Sequence, residues 1–233
     1  MTLTERDGGA IAAALEAEWS TAAAAAYRPR YNVAPGDRHP VLRAEAGRRT
    51  IDLLAWGMRG GGTAGAARGR GRVRGDTALI NARAESLAIR DRFREAFIGR
   101  RCVIPADGFF EWRKLDGGRR RQPYWFHADR RGLLCLAGLY DEDGENEGRF
   151  VVVTVPAGAA VRPVHDRMPA VLDRAGADRW LAAPDLDVLR PAADGVLVAT
   201  PVATRVNNVA HDDPACIAPI DPDSEAGTQL RLV

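Results

Sequence analysis

The chain has 233 residues, a length suited to one large domain, and its 46% hydrophobic and 27% charged residues exclude the compositions of disordered and collagen-like chains. No run approaches the roughly 18 uninterrupted apolar residues that a membrane helix needs, so no membrane association is expected. Net charge is only +2, yet of the 33 basic residues Lys114 alone is lysine; high-GC coding accounts for that ratio, and the placement of the arginine forks is the better guide to phosphate partners.

In chain order, "MTLTERDGG" has neither a basic nor an apolar leader region, so no secretory signal is expected. The spacing of Ile11, Leu15 and Trp19 predicts a helix from about Gly9 onward. "TAAAAAYRPR" reads as a run down into a proline-containing connection, and "RYNVAPGD" as a short extended segment ended by Pro35-Gly36. "HPVLRAE" and "RTIDLLAWG" read as strands joined by a hairpin turn at "AGR". Residues 57–76, rich in glycine and arginine, have no apolar period and are expected to form a surface loop. Arg59, Arg68, Arg70, Arg72 and Arg74 meet one acid there, Asp76, which fits a tolerated insertion or a phosphate-backbone contact.

A helix over about 84–98 comes next, with Leu87, Phe93 and Phe97 for the core. "RCVIPADGFFEWRK", "QPYWFHAD", "LLCLAGLYD" and "RFVVVTVPA" alternate with turn signals, which predicts an antiparallel meander. "DEDGENE" reads as a solvated turn, "HDRMPAVL" as an extended piece, "RAGADRWLAA" as a short helix with Trp180 inward, and "GVLVATPVA" as a final strand. The expected fold is α+β: a single domain over 1–233 with a curled, largely antiparallel, barrel-like sheet flanked by short helices.

Cys102, Cys135 and Cys216 are odd in number and lack C-x-x-C spacing, which argues against a disulfide framework and a zinc site. A reducing cytoplasm is the expected compartment, with no metal or other cofactor. Cys102 and Cys135 lie in apolar runs and read as inert core thiols. Asn81 and Arg83, two apart in "INARAES", share one face of an extended segment. Glu111 lies between Phe110 and Trp112. It is either solvent-facing by alternation or a general acid–base with a raised pKa in a water-poor site. A lone histidine is usually structural, but His165 sits in a polar knot with Asp166 and Arg167. Phe109, Phe110 and Trp112 fit base stacking or, more simply, the core.

"RYNVAP" at 30–35, "INARAE" at 80–85, "RCVIPADGFFEW" at 101–112, "HDRMP" at 165–169 and "TRVNNV" at 204–209 succeed one another over nearly the whole chain. In order and approximate spacing they resemble the SOS response-associated peptidase (SRAP) family of abasic-site processing proteins. The resemblance implies a monomer that binds single-stranded DNA, or a junction, at an abasic site, in the cytoplasm and on the nucleoid when bound. It implies that an amino-terminal cysteine forms a Schiff base with the ring-opened sugar and closes to a thiazolidine cross-link. It further implies that Asn81 positions the sugar or the reacting terminus, that Arg83 holds a flanking phosphate, and that Asn32 lines the same pocket. Glu111 is then the proton carrier, and His165 assists ring opening and the Schiff-base steps. The loop arginines Arg68, Arg70, Arg72 and Arg74 join the expected DNA contacts.

Two departures stand out. The family begins Met-Cys-Gly-Arg, whereas Met1-Thr2-Leu3-Thr4 matches the family's next residues, those after the Cys-Gly-Arg. The expectation is a start assigned four residues late; the alternative is a paralogue that binds single-stranded DNA or junctions without cross-linking. A third reading, a thiol-type peptidase, would need Cys102 as nucleophile beside His165. After Trp56-Gly57 the family's Pro-Trp segment is replaced by the Gly/Arg loop, which would exchange an aromatic wedge for electrostatic contact.

Overall fold

The computed structural model describes residues 1–59, 78–118, 120–129, 132–142 and 148–221. Arg68, Arg70, Arg72 and Arg74, most of the Gly/Arg loop and most of the acidic turn lie outside the described residues.

Helix α1 (Gly8–Leu15) starts at Asp7, whose side chain accepts the Gly9 N–H, and stops where Glu16 takes a left-handed φ of 48°. It buries Ile11 and Leu15 but ends before Trp19. That residue instead belongs to strand β1 (Glu18–Trp19), and its indole donates to Gly8 O at 2.8 Å. The expected connection after it begins as helix α2 (Thr21–Ala26). Five alanines have the highest helix propensity, and Ser20 caps them through the Ala23 N–H.

Strands β2 (Arg38–Glu45) and β3 (Arg48–Trp56) form the expected hairpin. Its two-residue turn, Ala46-Gly47, has φ of 48° and 80°, the positive values that match strand twist. Strand β4 (Asn81–Arg83) is followed by a 3₁₀ turn at Ala84–Ser86 and helix α3 (Asp91–Gly99). The helix expected from about 84 thus begins only at Asp91, because strand pairing holds the backbone extended through Arg83. Leu87, Phe93 and Phe97 are all buried, as expected.

Strands β5 (Arg101–Ala106), β6 (Gly108–Leu115), β7 (Arg120–Ala128), β8 (Leu134–Glu142) and β9 (Gly148–Pro156) occupy the expected extended runs. They do not form one meander. β5 pairs with β8 and β8 with β9, while β6 and β7 leave as a hairpin. The switch occurs at Asp107-Gly108. A Cβ on Gly108 would fall 2.1 Å from Trp125 Nε1 and 2.7 Å from Phe126 O, so the two strands of the hairpin approach there only because residue 108 is glycine.

Strands β10 (Arg167–Pro169) and β11 (Val171–Leu172) precede helix α4 (Arg174–Ala182), which buries Trp180, and strand β12 (Leu197–Pro201) pairs with β7. Among the described residues, nine strands make a largely antiparallel sheet and three make a small second sheet, β12-β7-β6. In the large sheet β3-β2-β5-β8-β9 is closed by a parallel contact of β9 with β3. This ring-like but irregular closure bears out the α+β expectation. Leu42, Ile51, Ile104, Leu136, Leu139 and Phe150 belong to its core, and α3 and α4 pack on β5 and β8. The small sheet carries its own cluster of Phe110, Trp125, Val202 and Val206. Among the described residues, no helix is long and apolar enough to cross a membrane.

Candidate functional site

The two sheets face each other across a cleft of about 610 Å³. Its walls come from distant parts of the chain: Met1, Asn32, Asn81, Glu111, His165 and Asn207 all line it. Four of the five residues expected to carry lesion chemistry or line its pocket are therefore brought together. Arg83, the fifth, is exposed two residues beyond Asn81 on the same face of β4 and does not line the cleft.

Strand alternation puts Glu111 on the face of β6 that also carries Phe109, a core residue. On an isolated hairpin that face would meet water. Here the large sheet covers it, and only 22% of the Glu111 side chain remains exposed. Burial raises its carboxyl to about 7, against the opposing pull of His165 and the Met1 amino group. A carboxyl poised there donates or accepts a proton near neutral pH.

His165 Nδ1 lies 3.8 Å from Glu111 Oε2 and 3.4 Å from Asp166 Oδ1. Nδ1 also lies 3.0 Å from both the backbone N and the carbonyl O of Arg167, and these two backbone groups orient the ring. Arg167 is fixed in turn. Its guanidinium grips both Glu85 oxygens at 2.7 and 3.0 Å and the Thr154 carbonyl at 2.6 Å. Arg167 holds the Glu85 carboxyl below the ordinary range. The polar face of "INARAES" is thus divided. Asn81 faces the cleft, Arg83 flanks it, and Glu85 secures the histidine segment.

Asn32 is 5% exposed, and its amide donates to Val206 O and His211 O, both at 3.0 Å. Asp212 accepts the backbone N–H groups of Tyr31 and Asn32 at 2.6 and 2.8 Å. Asn32 lines the cleft as expected, but its amide hydrogens hold the 206–211 segment in place instead of reaching outward.

Local sequence pattern gives no sign of where the amino-terminal strand docks. Met1 N donates to Val33 O at 3.0 Å, and Val33 N–H donates to Met1 O at 2.8 Å. Burial lowers the Met1 amino group to about 5. Asp107 clips the next turn of chain. Its carboxylate accepts Thr2 Oγ1 at 2.5 Å, the Thr4 N–H at 2.5 Å and Thr4 Oγ1 at 2.6 Å. Other contributors escape the sequence: Trp56, whose indole donates to Ile80 O at 2.8 Å, and Asn207, whose Oδ1 accepts the Trp112 indole at 2.7 Å. The signal for Asn207 is present in "TRVNNV", but nothing local says where that segment docks.

Phe109 and Phe110 are buried, whereas Trp112 is only partly so and lines the cleft. Cys102 is fully buried in β5, its thiol is pushed far up by burial, and it does not line the cleft. Among the described residues no cluster of three or more His, Cys, Asp or Glu side chains is arranged to hold a metal.

The chain is similar to known proteins over most of its length. The chain is 28% identical over 201 residues to abasic site processing protein YoqW of Bacillus subtilis (strain 168), covering 82% of this chain and 86% of that one. It is 29% identical over 234 residues to abasic site processing protein HMCES of Gallus gallus, covering 84% of this chain and 67% of that one. A crystal structure of a Bordetella bronchiseptica protein matches with a TM-score of 0.67 at 25% identity, over 87% of this chain and 98% of the other. The model of the family described as SOS response associated peptidase (SRAP) matches residues 2–209, from the clipped amino-terminal strand to the far wall of the cleft, and the chain belongs to that family.

Proposed function

We propose that this protein processes abasic sites in DNA and that the cleft receives the ring-opened sugar of the lesion in a single strand. One observation carries the reading: Glu111, poised near neutrality, stands 3.8 Å from His165 in a cleft that the amino-terminal strand enters. The family membership and the names of the relatives support it.

The chemistry rests on the groups in place. An amine adds to the C1′ aldehyde to give a carbinolamine, and loss of water gives an imine. The departing hydroxyl needs a proton, which the Glu111 carboxyl can supply, with His165 assisting. Asn81 offers an amide to orient the sugar, and Arg83 a fork for a flanking phosphate. A cysteine placed ahead of Met1 would add its thiol to the imine and close a thiazolidine. Nothing in the geometry of Cys102 supports thiol-type peptide hydrolysis.

The test compares the chain beginning at Met1 with one carrying Met-Cys-Gly-Arg ahead of it, each mixed with an abasic single strand as a monomeric protein in solution. Both are expected to bind with a steep salt dependence, and only the extended chain is expected to give an adduct that survives denaturant. In that chain Glu111→Gln and His165→Ala are expected to slow adduct formation by about 10²- to 10⁴-fold with little change in affinity. Arg83→Ala is expected to cost on the order of 1–3 kcal/mol in binding instead. An extended chain that binds the lesion without forming any adduct would overturn the covalent reading.

A further inference from the structure

Lys114, the single lysine of the chain, stands directly opposite Arg121 in the β6–β7 ladder. Residues opposite one another in an antiparallel pair share a face, with Cβ atoms about 5 Å apart, and like charges so placed repel. Both side chains are exposed. Among the described residues neither has an ion-pair partner. The free protein thus carries a cross-strand repulsion that its described neighbours do not offset.

The placement of the pair gives it a use. Arg121 lines the cleft together with Trp112, which lies two residues before Lys114 on the same face of β6. Trp112 is fixed by its indole bond to Asn207. Glu111 points to the other face of β6, but the cleft lining passes from it to Trp112 and Arg121, and Arg121 stands opposite Lys114, so the cleft reaches two cations with no ion-pair partner among the described residues. An anion seated between them would turn the repulsion into two attractive contacts. The lysine offers a point charge and the arginine a fork, and both are ordinary phosphate ligands.

We propose that Lys114 and Arg121 form a phosphate subsite at the mouth of the cleft, which holds the backbone of the DNA strand at nucleotides beyond the lesion. The subsite rests on the reading that the cleft takes DNA, and it extends the footprint along the β6–β7 hairpin.

The test measures binding of the full chain and of a Lys114→Gln, Arg121→Gln double variant to two abasic single strands. One ends at the nucleotides beside the lesion and the other continues well past it on both sides. On the long strand the double variant is expected to lose about 1.4 from the slope of log K against log salt, the value for two single-strand phosphate contacts, and to bind roughly tenfold more weakly. The short strand is expected to bind both proteins alike. Arg28→Gln with Arg190→Gln makes the same charge change elsewhere and is expected to leave the slope near that of the unmodified chain. If the two double variants lower the slope equally on the long strand, the subsite is overturned and the DNA reading stands. If the unmodified chain shows no salt-dependent binding to either strand, both fall. Because the substitution removes a repulsion, the Lys114, Arg121 variant is expected to melt no lower than the unmodified chain. A lower melting temperature would show that the pair serves the fold and would overturn the proposal.

Discussion

At the scale of single residues, Glu111 shows how a site works against the fold. Its carboxyl rises from 4.5 to about 7 because burial penalises the charged form. A raised folded-state pKa favours the fold fully below about pH 4.5, and the contribution is lost as pH climbs through 7. Glu111→Gln, neutral throughout, is therefore expected to stabilise the protein at pH 8 by on the order of 2 kcal/mol and by much less at pH 5. Denaturant titrations at the two pH values check this, and an equal gain at both would remove burial of the charge as the cause. Thr2 has the opposite character. It is fully buried, bonded to Asp107 at 2.5 Å and to the Trp125 indole at 3.0 Å. Its hydroxyl is spent on structure and is a weaker nucleophile than a thiolate. A chain starting at Met1 or Thr2 is thus expected to give at most a borohydride-trapped imine with abasic DNA. Were a stable adduct to form without reductant and vanish in Thr2→Ala, the assignment of Thr2 to the fold would fail.

At the scale of elements, the corner between β5 and β6 organises the site. Ala106 ends one sheet, Gly108 starts the other, and the carboxylate of Asp107 between them clips residues 2–4 against that corner. The same stretch delivers Glu111 four residues on. Asp107→Ala removes three hydrogen bonds to one carboxylate and leaves Thr2 Oγ1 in a buried setting. The expected loss is on the order of 3 kcal/mol, because bonds to charged groups are worth about 1.5–3 kcal/mol each and do not add fully. Hydrogen exchange would show faster exchange at the Thr4 amide while the amides of β8 stay protected; uniform loss across the large sheet would mean that Asp107 supports the whole fold. This clip is hard to read in advance. "ADGFFEW" marks a turn by its Asp-Gly pair, but the partner of the aspartate is a strand about a hundred positions away in sequence, and local pattern carries no information on such pairings. The hairpin β2–β3 is the reverse case. Its turn chemistry and its alternation lie within one short window, and it forms where expected.

At the scale of the whole molecule, acid stability hinges on a residue outside the cleft. His39 is fully buried, and burial lowers its pKa from 6.5 to about 4 against the opposing pull of the bond between its Nε2 and Pro105 O at 2.7 Å and, more weakly, of Asp37. Arg30 and the Met1 amino group act in the same direction as burial. A depressed folded-state pKa means that the histidine's contribution is complete above pH 6.5 and is lost as pH falls through 4. The protein is expected to lose on the order of 3 kcal/mol over that interval, and His39→Leu is expected to flatten the dependence there. Matching slopes in the two proteins would assign acid loss to other groups. The chain by itself determined the mixed fold class, most strands, the inward faces of α3 and α4, and, through five ordered motifs, the family. Those are properties of short windows, because hydrophobic alternation and turn chemistry act between near neighbours. Tertiary structure alone decided that β6 and β7 leave the meander, that Glu111 and His165 meet, that Asn32 holds a loop, and that Lys114 faces Arg121 beside the cleft. Alternation tells which side chains share a face; the cover over that face depends on strands that pair across the whole chain, and only their packing sets whether a carboxylate meets water or a histidine.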